Sequence, residues 1–327
     1  MAAQLAQHET KRRRHDSKRF QWSAIPLLAP SALLLLVLFL LPVAYSFYLG
    51  LTNLQLIGPH SVNYFFTGFW NIHLLLNDPN FWRSVWLTFV FVVGSGAIGS
   101  SVVGLTLALC MQRANPALRS VVGAIVVLGT VLPPATVAVV WSAVTSAGGI
   151  LSLILGFGKS DFIFTMPMLV VSLANGWSLC GLSMLMFGAA LRNVPKDMIE
   201  AAMLENAGPV RRFTRIVFPV IRPTVLTSCL LMTLLSFGNF TVIFLMTGGG
   251  PAGATNILPL YSYLEAFTFH RLAYGALLGN VIVLLAAFLG IAFVTLGKIS
   301  SRSDSGSGRR NQGRGQVKEQ PTELKVA

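Results

Sequence analysis

The sequence predicts an all-α integral membrane protein with six membrane-spanning helices. Hydrophobic residues make up 54% of the 327 residues and charged residues only 11%, whereas soluble domains carry about 25% charged residues. The chain contains six apolar runs, each long enough to cross the roughly 30 Å hydrocarbon core of a bilayer. Nearly all basic residues lie in alternate segments between these runs, which is typical of a chain that crosses the membrane repeatedly.

The first apolar run, at about residues 25–49, follows a polar and basic segment, residues 1–22, that we expect to be a disordered cytoplasmic tail. A secretory signal peptide has a shorter hydrophobic part, of about 7–15 residues, followed by a small-residue cleavage site. This run is longer and no such site follows it. We therefore expect it to be retained as the first span.

Five further spans are predicted from the later apolar runs. Pro133 and Pro134 interrupt the third span of the chain. Residues 51–81 are mixed polar and aromatic and predict an external loop with an amphipathic piece at the membrane surface. The five later spans are predicted at about residues 85–111, 120–144, 164–191, 224–246 and 272–296, and outer loops at 148–161 and 247–271. Residues 298–327 are expected to form a disordered cytoplasmic tail. The six-span membrane domain is therefore predicted at residues 23–297.

The positions of the basic residues predict the orientation of the chain. Six lie in the N-terminal tail, two after the second span, six between the fourth and fifth spans and seven after the sixth, which is 21 of the 24 Lys and Arg residues. Basic residues favour the cytoplasmic side, so both termini are expected there. The net charge of +13 is explained by this topology, and nucleic-acid binding is not predicted.

The central cytoplasmic segment, residues 192–223, is a charged stretch between two apolar spans. Pro195 and Asp197 suit the first turn of a helix, where a missing N–H costs little and a carboxylate meets the positive end of the dipole. Ala201 and Ala202 leave one face of this helix slim enough for close docking. The sequence therefore predicts a short helix presenting a narrow face.

A second short helix is predicted after a tight bend. Asn206 and Gly208 both tolerate the left-handed conformation that ends a helix, and Pro209 suits the start of the next one. Pro219 and Pro223 are expected to interrupt the second helix where the chain re-enters an apolar span.

The spacing in this segment resembles the EAA loop of ABC-transporter permease subunits. The usual pattern is Glu-Ala-Ala, two residues, Asp-Gly-Ala, then Phe, Ile and Pro at fixed offsets, and this chain departs from it at Glu205 and Asn206. The resemblance implies a cytoplasmic coupling-helix loop that fits a cleft on a separate ATPase subunit. The alternative is an ordinary cytoplasmic loop with a solvated charged face. The residues to which the resemblance assigns coupling are Glu200, Ala201, Ala202, Glu205, Asn206, Ala207, Gly208 and Phe213.

Other segments resemble the carbohydrate-uptake branch of these permeases, which includes the maltose and glycerol-phosphate transporters. The run from Thr247 to Pro251, with Thr255 following, matches the outer loop before their last span, and the resemblance covers roughly residues 25–297. It implies a type I ABC importer permease in a bacterial inner membrane. The implied partners are a second, similar permease subunit, a pair of ATP-binding subunits and an extracytoplasmic solute-binding protein, with the membrane lipid around the spans.

Two short motifs do not carry the function that their patterns suggest. Gly94, Gly96 and Gly99 match the G-x-G-x-x-G pattern of dinucleotide sites but lie inside a span, where close helix packing is the better explanation. The run 158–160 has the end of a phosphate-binding loop, but Leu153 occupies the position of its first glycine. We therefore expect no cofactor on this chain, and ATP and Mg²⁺ to be used by the partner ATPase.

All eleven acidic residues are predicted to lie in tails or loops. An ion-coupled secondary transporter usually keeps an ionisable group within its spans, because the coupling ion needs a site there. An integral-membrane enzyme would need a catalytic constellation, and the sequence shows none. Both alternatives are therefore ranked below a permease driven by a separate ATPase, and no catalytic or metal-binding residue is predicted.

Uncharged polar and aromatic residues in the spans are the candidates for a sugar path, because sugars bind through hydrogen bonds and aromatic faces. The alternative for each is interhelical hydrogen bonding or anchoring at the membrane surface. A neutral solute is favoured since the spans lack charge, so a glycerol-3-phosphate or other polyol-phosphate importer is the second choice. The predicted path residues are Asn175, Trp177, Ser178, Asn239 and Thr241; further candidates are Trp141, Ser183, Ser236 and Asn280.

Overall fold

The structure, a computed structural model, describes residues 28–154 and 161–312, with side chains to residue 295. The predictions for the N-terminal tail, the motif at 158–160 and the last part of the C-terminal tail lie outside the described residues. Within the described ranges the chain is helical apart from turns and one β-bridge between Thr52 and Phe66. Six helical segments are long and apolar enough to cross a membrane: Leu28–Gly50, Pro79–Arg113, Pro134–Ile154, Pro167–Arg192, Pro209–Gly238 and Leu272–Thr295.

The helices are labelled in chain order as follows. They are α1 (Leu28–Gly50), α2 (Trp70–Leu76), α3 (Pro79–Arg113), α4 (Pro116–Val131), α5 (Pro134–Thr145), α6 (Ile150–Ile154), α7 (Phe162–Thr165), α8 (Pro167–Arg192), α9 (Lys196–Leu204), α10 (Pro209–Gly238), α11 (Phe240–Thr247), α12 (Leu258–Tyr263) and α13 (Leu272–Gln312). Wide turns of π-helix lie inside α1, α3 and α10, and another, Leu264–Thr268, continues α12.

The third predicted span is divided into two helices. α4 ends at Val131 and α5 begins at Pro134, and the backbone at Leu132 and Pro133 is extended. Proline lacks the N–H that would continue the helix, and it restricts the preceding residue to extended conformations. The break that the sequence predicts at this point is confirmed.

The described residues divide into two compact units. The first comprises residues 28–74 and 265–280. Here the side chain of Ser46 donates to the Asn280 amide oxygen (2.9 Å), and the Asn280 amide nitrogen donates to the Ser46 carbonyl (3.1 Å). Asn280 therefore forms interhelical hydrogen bonds to Ser46. This is the structural role named above as the alternative to a path residue.

Glu265, predicted to lie in an outer loop, lies in the π-helical turn after α12 and is only 3% exposed. Its carboxylate contacts the Arg271 guanidinium at 2.5 Å, and Arg271 also lies over the Tyr274 ring. A buried carboxylate is tolerated when a cation pairs with it.

The second unit comprises residues 75–264 and 281–312 of the described chain. α8 is its central helix, since more than half of the most apolar part of α8 is buried. α8 packs against α3, α4, α10 and α11. One apolar core surrounds Phe91, Val171 and Ile243, and a second surrounds Phe187 and Ile221.

α13 is described as far as Gln312, which is beyond the predicted boundary between the membrane domain and the C-terminal tail. The domain boundaries at 22 and 297 stay predictions.

Candidate functional site

α9 lies at the surface of the second unit and is held at its N-terminal end. Val194, just before it, is 6% exposed and belongs to the core around Phe187, and Ile199 packs against the same core. Most other side chains of α9, including Glu200 and Ala201, are exposed, while Ala202 is half-buried. The helix is therefore anchored on one side and presents the other side to solvent.

The bend after α9 has a specific hydrogen-bond pattern. Asn206 has a φ of 54°, in the left-handed region. Its N–H donates to the Met203 carbonyl (3.0 Å), and the Ala207 N–H donates to the Ala202 carbonyl (3.0 Å). These two bonds form a Schellman motif, which closes a helix at one left-handed residue. Asn tolerates this conformation better than other non-glycine residues, so the departure from the usual glycine preserves the bend.

Gly208, which also tolerates the left-handed conformation, does not adopt it. Its φ of −65° and ψ of 161° are extended, and it precedes Pro209, the first residue of α10. One left-handed residue is enough to reverse the chain, and a residue before proline is driven to extended conformations. Gly208 therefore links the bend to the next helix.

The prediction that Pro219 and Pro223 interrupt the second helix is wrong. α10 runs without a break from Pro209 to Gly238, so the predicted second helix is the N-terminal part of the helix that forms the fifth span. A π-helical turn, Phe213–Val217, precedes both prolines. Such a turn changes the hydrogen-bond register, so the missing N–H of Pro219 falls at the junction with the regular helix. Pro223 lies inside that helix, which continues through it.

An exposed apolar patch surrounds the bend. Met203, Leu204 and Val210 are 53%, 89% and 74% exposed, and Met198 on the same helix is 48% exposed. Large apolar side chains exposed together on a charged segment are typical of surfaces that contact another protein, lipid or a ligand. Phe213, by contrast, is half-buried, lies 6.2 Å from the Phe218 ring and lines a cleft beside the end of α3.

Asn175, in the middle of α8, is the centre of a buried polar network. Its amide nitrogen donates to Ser95 (2.8 Å) and Ser236 (2.9 Å), and its amide oxygen accepts from the Asn239 nitrogen (2.6 Å). Asn175 is 0% exposed. It joins α3, α8 and the α10–α11 junction, as an interhelical hydrogen-bonding residue does. Ser95 was not predicted as a member of a polar network, although it lies within the run of small residues that predicts close helix packing.

A cavity of about 380 Å³ lies where two spans are interrupted. One interruption is between α4 and α5, and the other is at Asn239, between α10 and α11. Ser178 and Asn239 are polar residues of its wall, and its other lining residues are Thr130, Leu132, Pro134, Val137, Leu179, Leu235 and Gly238. None of these described lining residues is charged.

The buried amide oxygen of Asn239 has no hydrogen-bond partner among the described residues, whereas its nitrogen is bound to Asn175. Buried polar atoms are nearly always paired, and the described residues supply no donor to this acceptor, so a solute or water would have to supply one. A broken helix that lines a cavity is also how membrane proteins tolerate irregular backbone at depth.

The other path candidates have different surroundings. Trp177 is 39% exposed and its ring packs edge-on against Trp141, with centroids 6.3 Å apart. Thr241 is half-buried in the first turn of α11. Ser183 is buried and faces Ser228 at 3.3 Å. The structure therefore brings Ser178 and Asn239 together at one cavity and separates Ser183 from it.

These features belong to a known class of membrane subunit. The family described as "Binding-protein-dependent transport system inner membrane component" matches residues 100–302. The chain belongs to this family. The permease is 28% identical over 293 residues to the trehalose transport system permease protein SugA of Mycobacterium tuberculosis, with 88% of this chain and 92% of the relative covered.

The permease is also 30% identical over 278 residues to the sn-glycerol-3-phosphate transport system permease protein UgpA of Yersinia enterocolitica, with 83% and 92% covered. Among solved structures, a bacterial ABC transporter involved in the import of the acidic polysaccharide alginate matches with a TM-score of 0.69. That match has 20% identity and covers 89% of this chain and 99% of the other. The predicted all-α fold of the ABC importer permease kind, and the resemblance that implied it, are confirmed.

Proposed function

We propose that this permease forms half of the path of an ATP-driven importer for a neutral sugar or sugar-like solute. The observation that supports this most directly is the unpaired amide oxygen of Asn239 at an uncharged cavity between two interrupted spans. A sugar hydroxyl would donate to this oxygen, and Ser178 would supply a second polar contact. Trp177 and Thr241 remain proposed path residues on the neighbouring surfaces of α8 and α11.

The names of the relatives include both neutral and charged solutes, so we infer the charge of the solute from the residues that line the cavity. An anionic solute would favour a nearby basic group, because a desolvated phosphate needs a counter-charge. The described lining of the cavity offers none. A polyol phosphate is therefore the second choice, and it would require the charge to come from another subunit.

The coupling loop, residues 192–223, is proposed to dock on a separate ATPase. Glu200, Ala201 and the exposed apolar patch near the bend supply the contact surface, and Ala202 and Ala207 allow close approach. Glu205, Asn206 and Gly208 shape the bend, and Phe213 fixes α10 beside the end of α3. ATP and Mg²⁺ would be bound by that ATPase, so ATP hydrolysis would take place on the partner. Both termini and the coupling loop would then face the cytoplasm.

The other proposed partners follow from the same arrangement. A second, different permease would close the open side of the cavity, and a solute-binding protein would deliver solute from outside. ATP-driven closure of the ATPase pair would move α9 and α10 and thereby switch access to the cavity. Such switching requires the nucleotide to favour one state over the other.

The proposed function predicts that uptake requires all components. In vesicles containing the permease pair, the ATPase and the binding protein, solute should accumulate only with ATP inside. Omitting the ATPase should abolish uptake even when a proton gradient is imposed. Proton-driven uptake by the permease without an ATPase would instead establish a secondary transporter. The solute itself is found by screening sugars for the one that raises the melting temperature of the binding protein.

A variant of Asn239 tests the path. Replacing Asn239 with alanine removes one hydrogen bond to solute, and such a bond contributes about 0.5–1.5 kcal/mol, so KM should rise roughly threefold to tenfold. The matched control is Asn280→Ala, because Asn280 hydrogen-bonds Ser46 in the other unit and does not line the cavity. Its KM should be unchanged. An unchanged KM in Asn239→Ala would remove that residue from the path.

A further inference from the structure

A second cavity, of about 360 Å³, lies where three helix ends meet. It is bounded by the end of α3, the start of α4 and the end of α8. Its two charged residues are Arg119, in the first turn of α4, and Arg192, the last residue of α8. The other lining residues are Ala108, Met111, Gln112, Gly123, Met184, Leu185, Gly188 and Ala189.

The two arginines are without protein partners in the described part of the chain. Both are exposed, and no hydrogen bond or ion pair joins either to a described side chain. None of the described residues that line the cavity is acidic. Two guanidinium groups at the rim of one cavity repel each other unless an anion lies between them. The charge of the cavity therefore favours an anionic ligand.

The shape and composition of the cavity favour a lipid over a soluble anion. Both arginines lie at the ends of apolar helices, which is the depth of lipid headgroups. Below them the wall is apolar, and a side chain added at Gly123 or Gly188 would meet nothing within 4 Å. These two glycines leave open space on α4 and α8 that extends from the charged rim. A soluble phosphate would fill only the rim.

We propose that this cavity binds an anionic phospholipid, with the headgroup phosphate between Arg119 and Arg192 and part of an acyl chain along the surface near Gly123 and Gly188. Basic pockets between spans on the cytoplasmic side are suited to anionic headgroups. Assignment to the cytoplasmic leaflet rests on the proposed orientation; binding itself does not. Because α9 begins four residues after Arg192, the lipid would hold α4 against α8 at the start of the coupling loop.

The test measures lipid retained by the purified permease–ATPase complex in native mass spectrometry after exchange into mixed phosphatidylglycerol and phosphatidylcholine. The intact complex should retain phosphatidylglycerol selectively. The double variant Arg119→Gln/Arg192→Gln should bind it about 30-fold more weakly, given the typical contribution of each basic residue near a membrane surface. The matched control, Arg113→Gln/Arg222→Gln, removes the same charge outside this cavity and should bind normally.

A second variant tests the acyl-chain part without changing charge. Gly188→Leu has room in the protein, so the complex should fold, and the leucine should occupy the proposed lipid groove and lower retention. Undiminished retention in both the double-arginine and Gly188→Leu variants would overturn the proposal. So would displacement of bound lipid by millimolar inorganic phosphate, which would indicate a free-anion site. Loss of the ATPase from the double-arginine variant with lipid retention unchanged would assign the arginines to that partner. These readouts do not depend on solute transport, so failure of the proposed function would leave them interpretable.

Discussion

Glu200→Ala and Ala202→Trp are expected to lower solute uptake strongly while the permease still inserts in the membrane and the ATPase still hydrolyses ATP. Ala202 is half-buried, and its carbonyl accepts the bond that closes the bend. A large side chain there would hold a docked partner away from α9. Hot-spot residues, which cluster near the centre of an interface, each contribute about 2 kcal/mol or more, so coupled uptake should fall by roughly thirtyfold or more.

The measurement compares uptake and ATP hydrolysis in the same vesicles, with co-purification of the ATPase as a check on assembly. Lys196→Gln is the matched control, since Lys196 is exposed on the same helix but outside the predicted coupling residues. Asn206→Gly should also keep wild-type coupling, because glycine adopts the φ of 54° without strain. Normal uptake in both test variants would show that α9 does not transmit ATPase motion.

Features set by local chemistry were predictable from the sequence. The spans follow from runs of apolar residues, and the break at Pro133 follows from a missing backbone donor. The bend at Asn206 follows from the ability of asparagine to adopt positive φ. In each case, the residue that determines the conformation is itself part of the element.

Features set by tertiary neighbours were not predictable. The interruption at Asn239 depends on its side chain bonding to Asn175, 64 residues earlier. Glu265 can be buried because Arg271, six residues later, pairs with its carboxylate. Pro219 is accommodated because the preceding turn is wide, and nothing in the local sequence specifies that turn. The same limit explains why Asn175 was grouped with Asn239, since composition alone does not distinguish a network centre from a cavity wall.

The glycines inside α3 provide the sharpest test of the membrane packing. A Cβ added at Gly96 would lie 2.9 Å from the Met232 carbonyl oxygen on α10. A Cβ added at Gly104 would lie 2.7 Å from the Ser183 Cβ and 2.8 Å from the Met184 nitrogen on α8. Backbone atoms cannot move aside as a flexible side chain can, so a larger residue must separate the helices.

Gly96→Leu and Gly104→Leu are therefore expected to destabilise the permease strongly. Overpacking costs about 1–3 kcal/mol where neighbours can adjust, and that range would lower the melting temperature by roughly 2–12 °C. Because backbone lies in contact at both sites, we expect values at the upper end or loss of folded protein. The measurement is thermal unfolding of the purified complex, in which the fraction of protein that stays monodisperse is recorded at each temperature.

Gly94→Leu is the matched control, because Gly94 lies in the same π-helical turn as Gly96 and nothing lies within 4 Å of a side chain added there. All three variants add the same apolar volume to one helix, so differences in lipid solubility and helix propensity largely cancel. Stability should therefore depend on which face of α3 carries the leucine. Equal stability of the three variants would mean that α3 does not pack on α8 and α10 through these glycines, and the buried network around Asn175, which needs the same close approach, would then be misplaced.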